Sequence, residues 1–156
     1  MVVALRLWTM MIVLAMALSA QASKKPDFSG TWELDLQRTR FGKIPQPKSL
    51  LIQIEHHEPE IRVVTVTTTD KAEASKTLDL TTDGKPHSRV VEGQLCAATA
   101  HWDQWTGTRL VAEEKCTGSS VSRHFTLGGK GKILTTVLTL SDGSGQRKAY
   151  EFFFRK

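Results

Sequence analysis

Apolar and polar residues alternate along almost all of residues 28–155. Leu50-Leu51-Ile52-Gln53-Ile54-Glu55 shows the pattern: Leu50, Ile52 and Ile54 share one face, while Gln53 and Glu55 take the other. The same period of two predicts strands over 30–35, 50–55, 61–68, 76–81, 88–92, 95–102, 108–116, 121–127, 133–140 and 148–155. Thr, Val, Ile and Phe dominate these runs, and Thr67-Thr68-Thr69 and Thr135-Thr136 are poor helix material. Turn signals separate them: Pro59, Asp83-Gly84, Gly107, Gly118, Gly128-Gly129 and Asp142-Gly143. No helical period appears anywhere. Short strands at this spacing imply an all-β antiparallel sandwich or barrel.

Residues 1–22 break the alternation. A single basic residue, Arg6, precedes a largely apolar run from Leu7 to Leu18, and Ala20-Gln21-Ala22 closes the segment. That is the layout of a secretory signal peptide, with cleavage expected between Ala22 and Ser23. A membrane anchor is the competing reading, but the run falls well short of the roughly 20 apolar residues a spanning helix needs. No cysteine follows the small residues to carry a lipid. The expected organisation is a leader over 1–22 and one β-barrel domain over 23–156, in a secreted, periplasmic or extracellular protein.

Composition narrows the function classes. The 156 residues are 40% apolar, 24% charged and 7% aromatic, which fits one ordinary globular domain. Net charge is +5, falling to +4 without Arg6, too weak to argue for nucleic acid. The chain has no asparagine and so no N-glycan acceptor. Cys96 and Cys116 are the only cysteines, and an even count in an oxidising compartment reads as a disulfide. Setting the two directly opposite one another pairs Trp102 with Leu110, Ala100 with Ala112 and Ala98 with Glu114. It leaves a hairpin loop Trp105-Thr106-Gly107, with glycine where a three-residue loop needs a left-handed residue. The face shared with the cysteines is apolar and therefore inward; Glu114 is its misfit, expected near an open end.

Candidate chemistry is sparse. His56-His57-Glu58-Pro59-Glu60 has zinc-binding residue types, but adjacent histidines on a strand diverge and Pro59 bars a helix, so a polar turn is the simpler reading. His87, His101 and His124 have no ligand spacing. Gly128-Gly129-Lys130-Gly131-Lys132 lacks the phosphate-loop pattern and reads as a hairpin turn. Glu113 and Glu114 point to opposite faces and cannot act as an acid–base pair. No metal, cofactor or catalytic constellation is expected, and the chain reads as a non-enzyme. The basic segment Arg38, Arg40, Lys43 and Lys48 is either a solvated loop or an attractor for an anionic head group. Arg123 shares a face with Val121, Phe125 and Leu127, so it is either an inward charge needing a partner or an exposed strand end.

Phe28-Ser29-Gly30-Thr31-Trp32-Glu33-Leu34-Asp35 carries a G-x-W motif at the first strand and resembles the opening of lipocalin-like (calycin) barrels. Phe41-Gly42-Lys43-Ile44-Pro45-Gln46-Pro47-Lys48-Ser49-Leu50, Thr82-Asp83-Gly84-Lys85 and Ala100-His101-Trp102-Asp103 are similar to a family of secreted bacterial proteins of that superfamily. The resemblance spreads over residues 28–155. It implies an up-and-down barrel of about 8–10 strands, with Trp32 near the closed end beneath a late-strand arginine, for which Arg155 is the candidate. It also implies that the connection after the first strand covers the mouth. Relatives tend to have Trp-Asp-Gly in the hairpin where this chain has Trp102-Asp103-Gln104-Trp105-Thr106-Gly107.

The leading expectation is a secreted or periplasmic protein that binds a small hydrophobic or anionic amphipathic ligand in the barrel, with Trp32, Ala100, Trp102, Ala112 and Arg123 as candidate ligand contacts. The small residues Ala98, Ala100 and Ala112 leave volume that is filled either by Phe125, Leu138, Phe152 and Phe154 or by a ligand. The alternative is a protein-binding module, such as a secreted protease inhibitor, working through the Trp105 tip or the N-terminal arm. An outer-membrane barrel is disfavoured, because outward positions carry Gln53, Glu55, Glu113 and Lys115.

Overall fold

Each of the ten alternating runs forms a strand. The computed structural model describes residues 25–156, so the expected leader over 1–22 and its cleavage point lie outside the described residues. The strands are β1 Gly30–Leu34, β2 Ser49–His57, β3 Glu60–Thr68, β4 Glu73–Thr81, β5 His87–Val91, β6 Gln94–Trp102, β7 Leu110–Cys116, β8 Ser119–Gly128, β9 Ile133–Asp142 and β10 Arg147–Arg155. They form one antiparallel sheet in the order β4-β3-β2-β1-β10-β9-β8-β7-β6-β5. This is the expected up-and-down meander, curled into a barrel with β1 lying between β2 and β10. The edge strands β4 and β5 face one another without a ladder. Across that seam the Arg89 guanidinium donates to the Thr77 carbonyl oxygen at 3.4 Å.

A meander leaves two ends. The upper end carries the connections after β1, β3, β5, β7 and β9; the lower end carries those after β2, β4, β6 and β8, together with residues 25–29. β1 meets β10 only through Glu33–Arg155 and Leu34–Phe154, so the upper half of β10 has no strand on that side. The connection 35–48 lies there instead. Thr39 accepts a hydrogen bond from the Phe153 amide (3.2 Å), Phe41 meets Phe152 edge-on, and the Arg38 guanidinium sits 4.6 Å from the Phe153 ring centre.

The G-x-W motif has a physical role here. Trp32 is completely buried and donates from its indole to the Phe28 carbonyl (2.9 Å). Gly30 sits at φ +135°, and a Cβ there would lie 2.6 Å from the Lys156 side chain. Its absence lets Lys156 cross to the Ser29 carbonyl and over the Trp32 ring, 5.2 Å from its centre. The cation against Trp32 is therefore Lys156. Arg155, expected there from the resemblance, points the other way and donates from both Nε and Nη2 to Oδ2 of the buried Asp35 carboxylate, because successive strand residues face opposite sides.

The hairpin register is as the cysteine pairing requires: Trp102 opposes Leu110 and Ala100 opposes Ala112, and Cys96 and Cys116 are bridged with Cα atoms 4.4 Å apart. The loop is longer than the expected three residues. Its last rung is the Asp103 amide on the Arg109 carbonyl, and the Asp103 carboxylate then takes the amides of Trp105 and Thr106 (both 2.9 Å). Gln104 and Thr108 are thus prevented from pairing, although Gly107 has the left-handed backbone expected of it (φ +61°).

The bridge joins residues 20 apart. Replacing both cysteines by alanine should lower unfolding stability by about 3 kcal/mol in the chain-entropy account, read from denaturant midpoints. The unreduced protein should titrate no thiols after unfolding.

Candidate functional site

The lower end of the barrel is filled and latched. The extended segment 25–29 turns Phe28 inward, where it is 1% exposed and stacks on Trp102 with ring centres 5.8 Å apart. Its other ring contacts are His56 of β2 and Phe125 of β8, so one side chain spans the lower lumen. Glu58, at the β2–β3 turn, ties these parts together. Its carboxylate accepts from His56 Nε2 (3.0 Å), Trp102 Nε1 (2.9 Å), Thr82 Oγ1 (3.0 Å) and Lys25 Nζ (3.0 Å). His56 Nδ1 in turn accepts from the Phe28 amide at 3.3 Å. That pattern requires the neutral tautomer with its proton on Nε2. Burial works against the charge on Glu58, but the four donors outweigh it and hold its carboxyl at about 2, against an ordinary 4.5.

Above this plug the lumen stays open. A cavity of about 170 Å³ is walled by Leu50, Ile52, Val63, Leu78, Phe125, Phe152 and Phe154. Polar groups enter it from β3, β4, β7, β8 and β9: Thr65, Lys76, Glu114, Arg123 and Thr136. Glu114 and Arg123 are diagonal neighbours on adjacent strands, since Ala112 opposes Arg123. The partner of Glu114 is Arg89, whose Nε lies 3.4 Å from Oε2 without hydrogen-bond geometry. Desolvation lowers the pKa of Arg123, offset by the nearby Glu114 carboxylate and reinforced by Arg89. A second hollow of about 410 Å³ lies in the seam, lined largely by polar side chains including Glu55, His57, Glu60, Arg62, Asp79 and His87.

The candidate ligand contacts separate in space. Arg123 lines the cavity. Trp32, Ala100 and Ala112 belong to the buried core cluster together with Phe28, and Trp102 packs against that cluster. Phe28 joins Phe125 and Phe154 in that cluster, while Ala98 and Ala100 also line the hollow of about 410 Å³ at the seam. Glu114, the misfit of the hairpin face, is 4% exposed and lines the upper cavity, two residues from the upper end of β7. Arg89 was not singled out from the sequence, yet its position opposite Cys96 puts it on the inward face. Extending the cysteine register by one strand would have found it. In the basic segment, Lys48 pairs with Asp70 (2.9 Å) and Arg38 covers Phe153, while Arg40 and Lys43 are exposed.

Because the Glu58 pKa is depressed on folding, its contribution is fully present above about pH 4.5 and is lost as pH falls through about 2. The melting temperature of the parent should therefore drop more steeply across that window than that of Glu58→Gln. At neutral pH Glu58→Gln should cost about 1–2 kcal/mol.

No family model matches the sequence, and no curated protein does. Solved structures do. The secretory abundant heat soluble protein 4 of Ramazzottius varieornatus superposes with a TM-score of 0.59 at 15% identity, over 88% of this chain and 99% of that one. Human cRBP IV gives 0.55 at 16%, over 84% and 99%. The zebrafish ileal bile acid-binding protein, complexed with cholic acid, gives 0.54 at 13%, over 83% and 98%. At these identities the likeness is one of fold, and the fold is the calycin barrel.

Proposed function

We propose that this is a secreted or periplasmic carrier that holds a small amphipathic ligand in the upper lumen, its apolar part among Leu50, Ile52, Val63, Phe152 and Phe154 and its anionic head beside Arg123. The observation that carries this reading is a mostly apolar cavity with a desolvated guanidinium on its wall. A packed core has no reason to keep that charge out of water. Two guanidiniums, Arg89 and Arg123, together with Lys76 face a single carboxylate, Glu114, so an anionic ligand offsets a net positive lining. The volume, about 170 Å³, lies below the ~300–1,000 Å³ usual for drug-sized ligands; a short acyl chain or single ring is the size class it takes. The similar structures include proteins described as binding bile acid and, for a fly brain protein, fatty acid, which is consistent with this use of the fold.

One observation favours a second reading. Trp105 is 95% exposed on a loop held rigid by Asp103, the kind of aromatic that anchors a protein contact. A protein partner at this tip is compatible with a ligand in the lumen, since the tip is at the opposite end.

Octanoate should bind the purified protein in calorimetric titration. Arg123→Met should weaken octanoate roughly tenfold or more, the worth of a charge-assisted hydrogen bond, while affecting 1-octanol much less. Thr65→Trp, which fills the cavity, should abolish both. Binding of neither compound to the parent protein would refute the lumen as a ligand site. Intact mass of the exported protein should show a chain beginning at Ser23.

A further inference from the structure

The polar cluster in the lumen is incomplete in a way that a plain carboxylate does not repair. Glu114 has 6% of its side chain exposed, lines the cavity, and has no hydrogen-bond donor on Oε2; Nη1 of Arg89 is also buried and unpartnered. Buried polar atoms are nearly always paired, and an orphaned one costs more than a missing surface contact. The orphan on Glu114 is an acceptor. A ligand carboxylate, being an acceptor as well, satisfies Arg123 and leaves Oε2 as it was. It also brings like charge towards Glu114.

Resting on the carrier reading, we propose that the ligand head carries a hydrogen-bond donor close to its anionic group: the carboxylate meets Arg123, and a neighbouring hydroxyl or amide N–H donates to the Glu114 carboxylate, which lines the cavity and turns to present its enclosed Oε2. The spacing follows from the sheet. Glu114 and Arg123 point inward from diagonal positions of β7 and β8, which places their reach a few bonds apart on one small head group. A 3-hydroxy acid has this arrangement. An unsubstituted fatty acid does not. Glu114 thus acts as the residue that selects among anionic amphiphiles, and Arg89 holds it: Arg89 neutralises the carboxylate while its own Nη2 is fixed on the Thr77 carbonyl across the seam.

The test compares 3-hydroxyoctanoate with octanoate by calorimetric titration, reading the ratio of their dissociation constants. The parent protein should prefer the hydroxy acid by roughly tenfold, the worth of satisfying a buried acceptor. In Glu114→Leu the ratio should fall to near one. Because that change leaves two buried guanidiniums facing each other, the double variant Arg89→Leu/Glu114→Leu, which removes the pair together, is measured alongside it and should also give a ratio near one. Equal affinities in the parent, as when a water molecule satisfies Glu114, would overturn the selectivity and leave the carrier reading standing. A tenfold preference persisting in the double variant would overturn the role of Glu114. If neither acid binds, both readings fall together.

Discussion

The barrel depends on one short strand. β1 has five residues, and it alone joins the β2–β4 meander to the β5–β10 meander. Its ladder to β10 covers two residue pairs, too few to hold two halves of a sheet by backbone hydrogen bonds. The junction is secured by side chains instead. Trp32 and Leu34 enter the core on one face, while on the other Asp35 takes the Arg155 guanidinium and the amides of Gln37 and Arg38. Those donors hold the Asp35 carboxyl below its ordinary range although burial opposes them. The Asp35–Arg155 contact spans 120 residues of sequence, so the loop-closure entropy of forming it is met only when the whole sheet assembles.

The short β1 also shapes the site. Had it run the full height of β10, a strand would stand where the connection 35–48 now lies, and the upper wall would be a continuous ladder. A loop packed by Phe41 on Phe152 and Arg38 on Phe153 borders the upper lumen instead. The two ends therefore differ in kind. The lower end is plugged by Phe28 and fastened through Glu58 with four donors; the upper lumen keeps a cavity in which charge stands among aromatic and aliphatic walls. Close packing below gives stability and a fixed frame. The incompletely satisfied cluster above is the feature that a frame of this stiffness can hold out of water.

Much of this was legible in the chain. All ten strands follow from the period-two pattern, because one face of a half-buried sheet must be apolar. The β6–β7 register follows from the two cysteines, since a direct bridge fixes every pair along the ladder. The inward direction of Arg123 and the oddity of Glu114 follow from the same parity. Local chemistry was harder to anticipate where two turn solutions compete: Asp103 captures the amides of its own loop and lengthens it, which residue counting does not foresee.

Tertiary structure alone decided which volume is full. Parity says that Trp102 and Phe125 belong to the lumen side, but it does not say that Phe28, more than seventy residues earlier, packs between them. It puts Arg155 and Lys156 on opposite faces without saying which one meets Trp32; the glycine at position 30 makes room for Lys156. Likewise Arg89 reaches the Thr77 carbonyl only because the sheet rolls until β5 and β4 face each other. Alternation is a property of each strand and can be read one strand at a time. The contents of a barrel are set by how all the strands close around them, and that closure is not a local quantity.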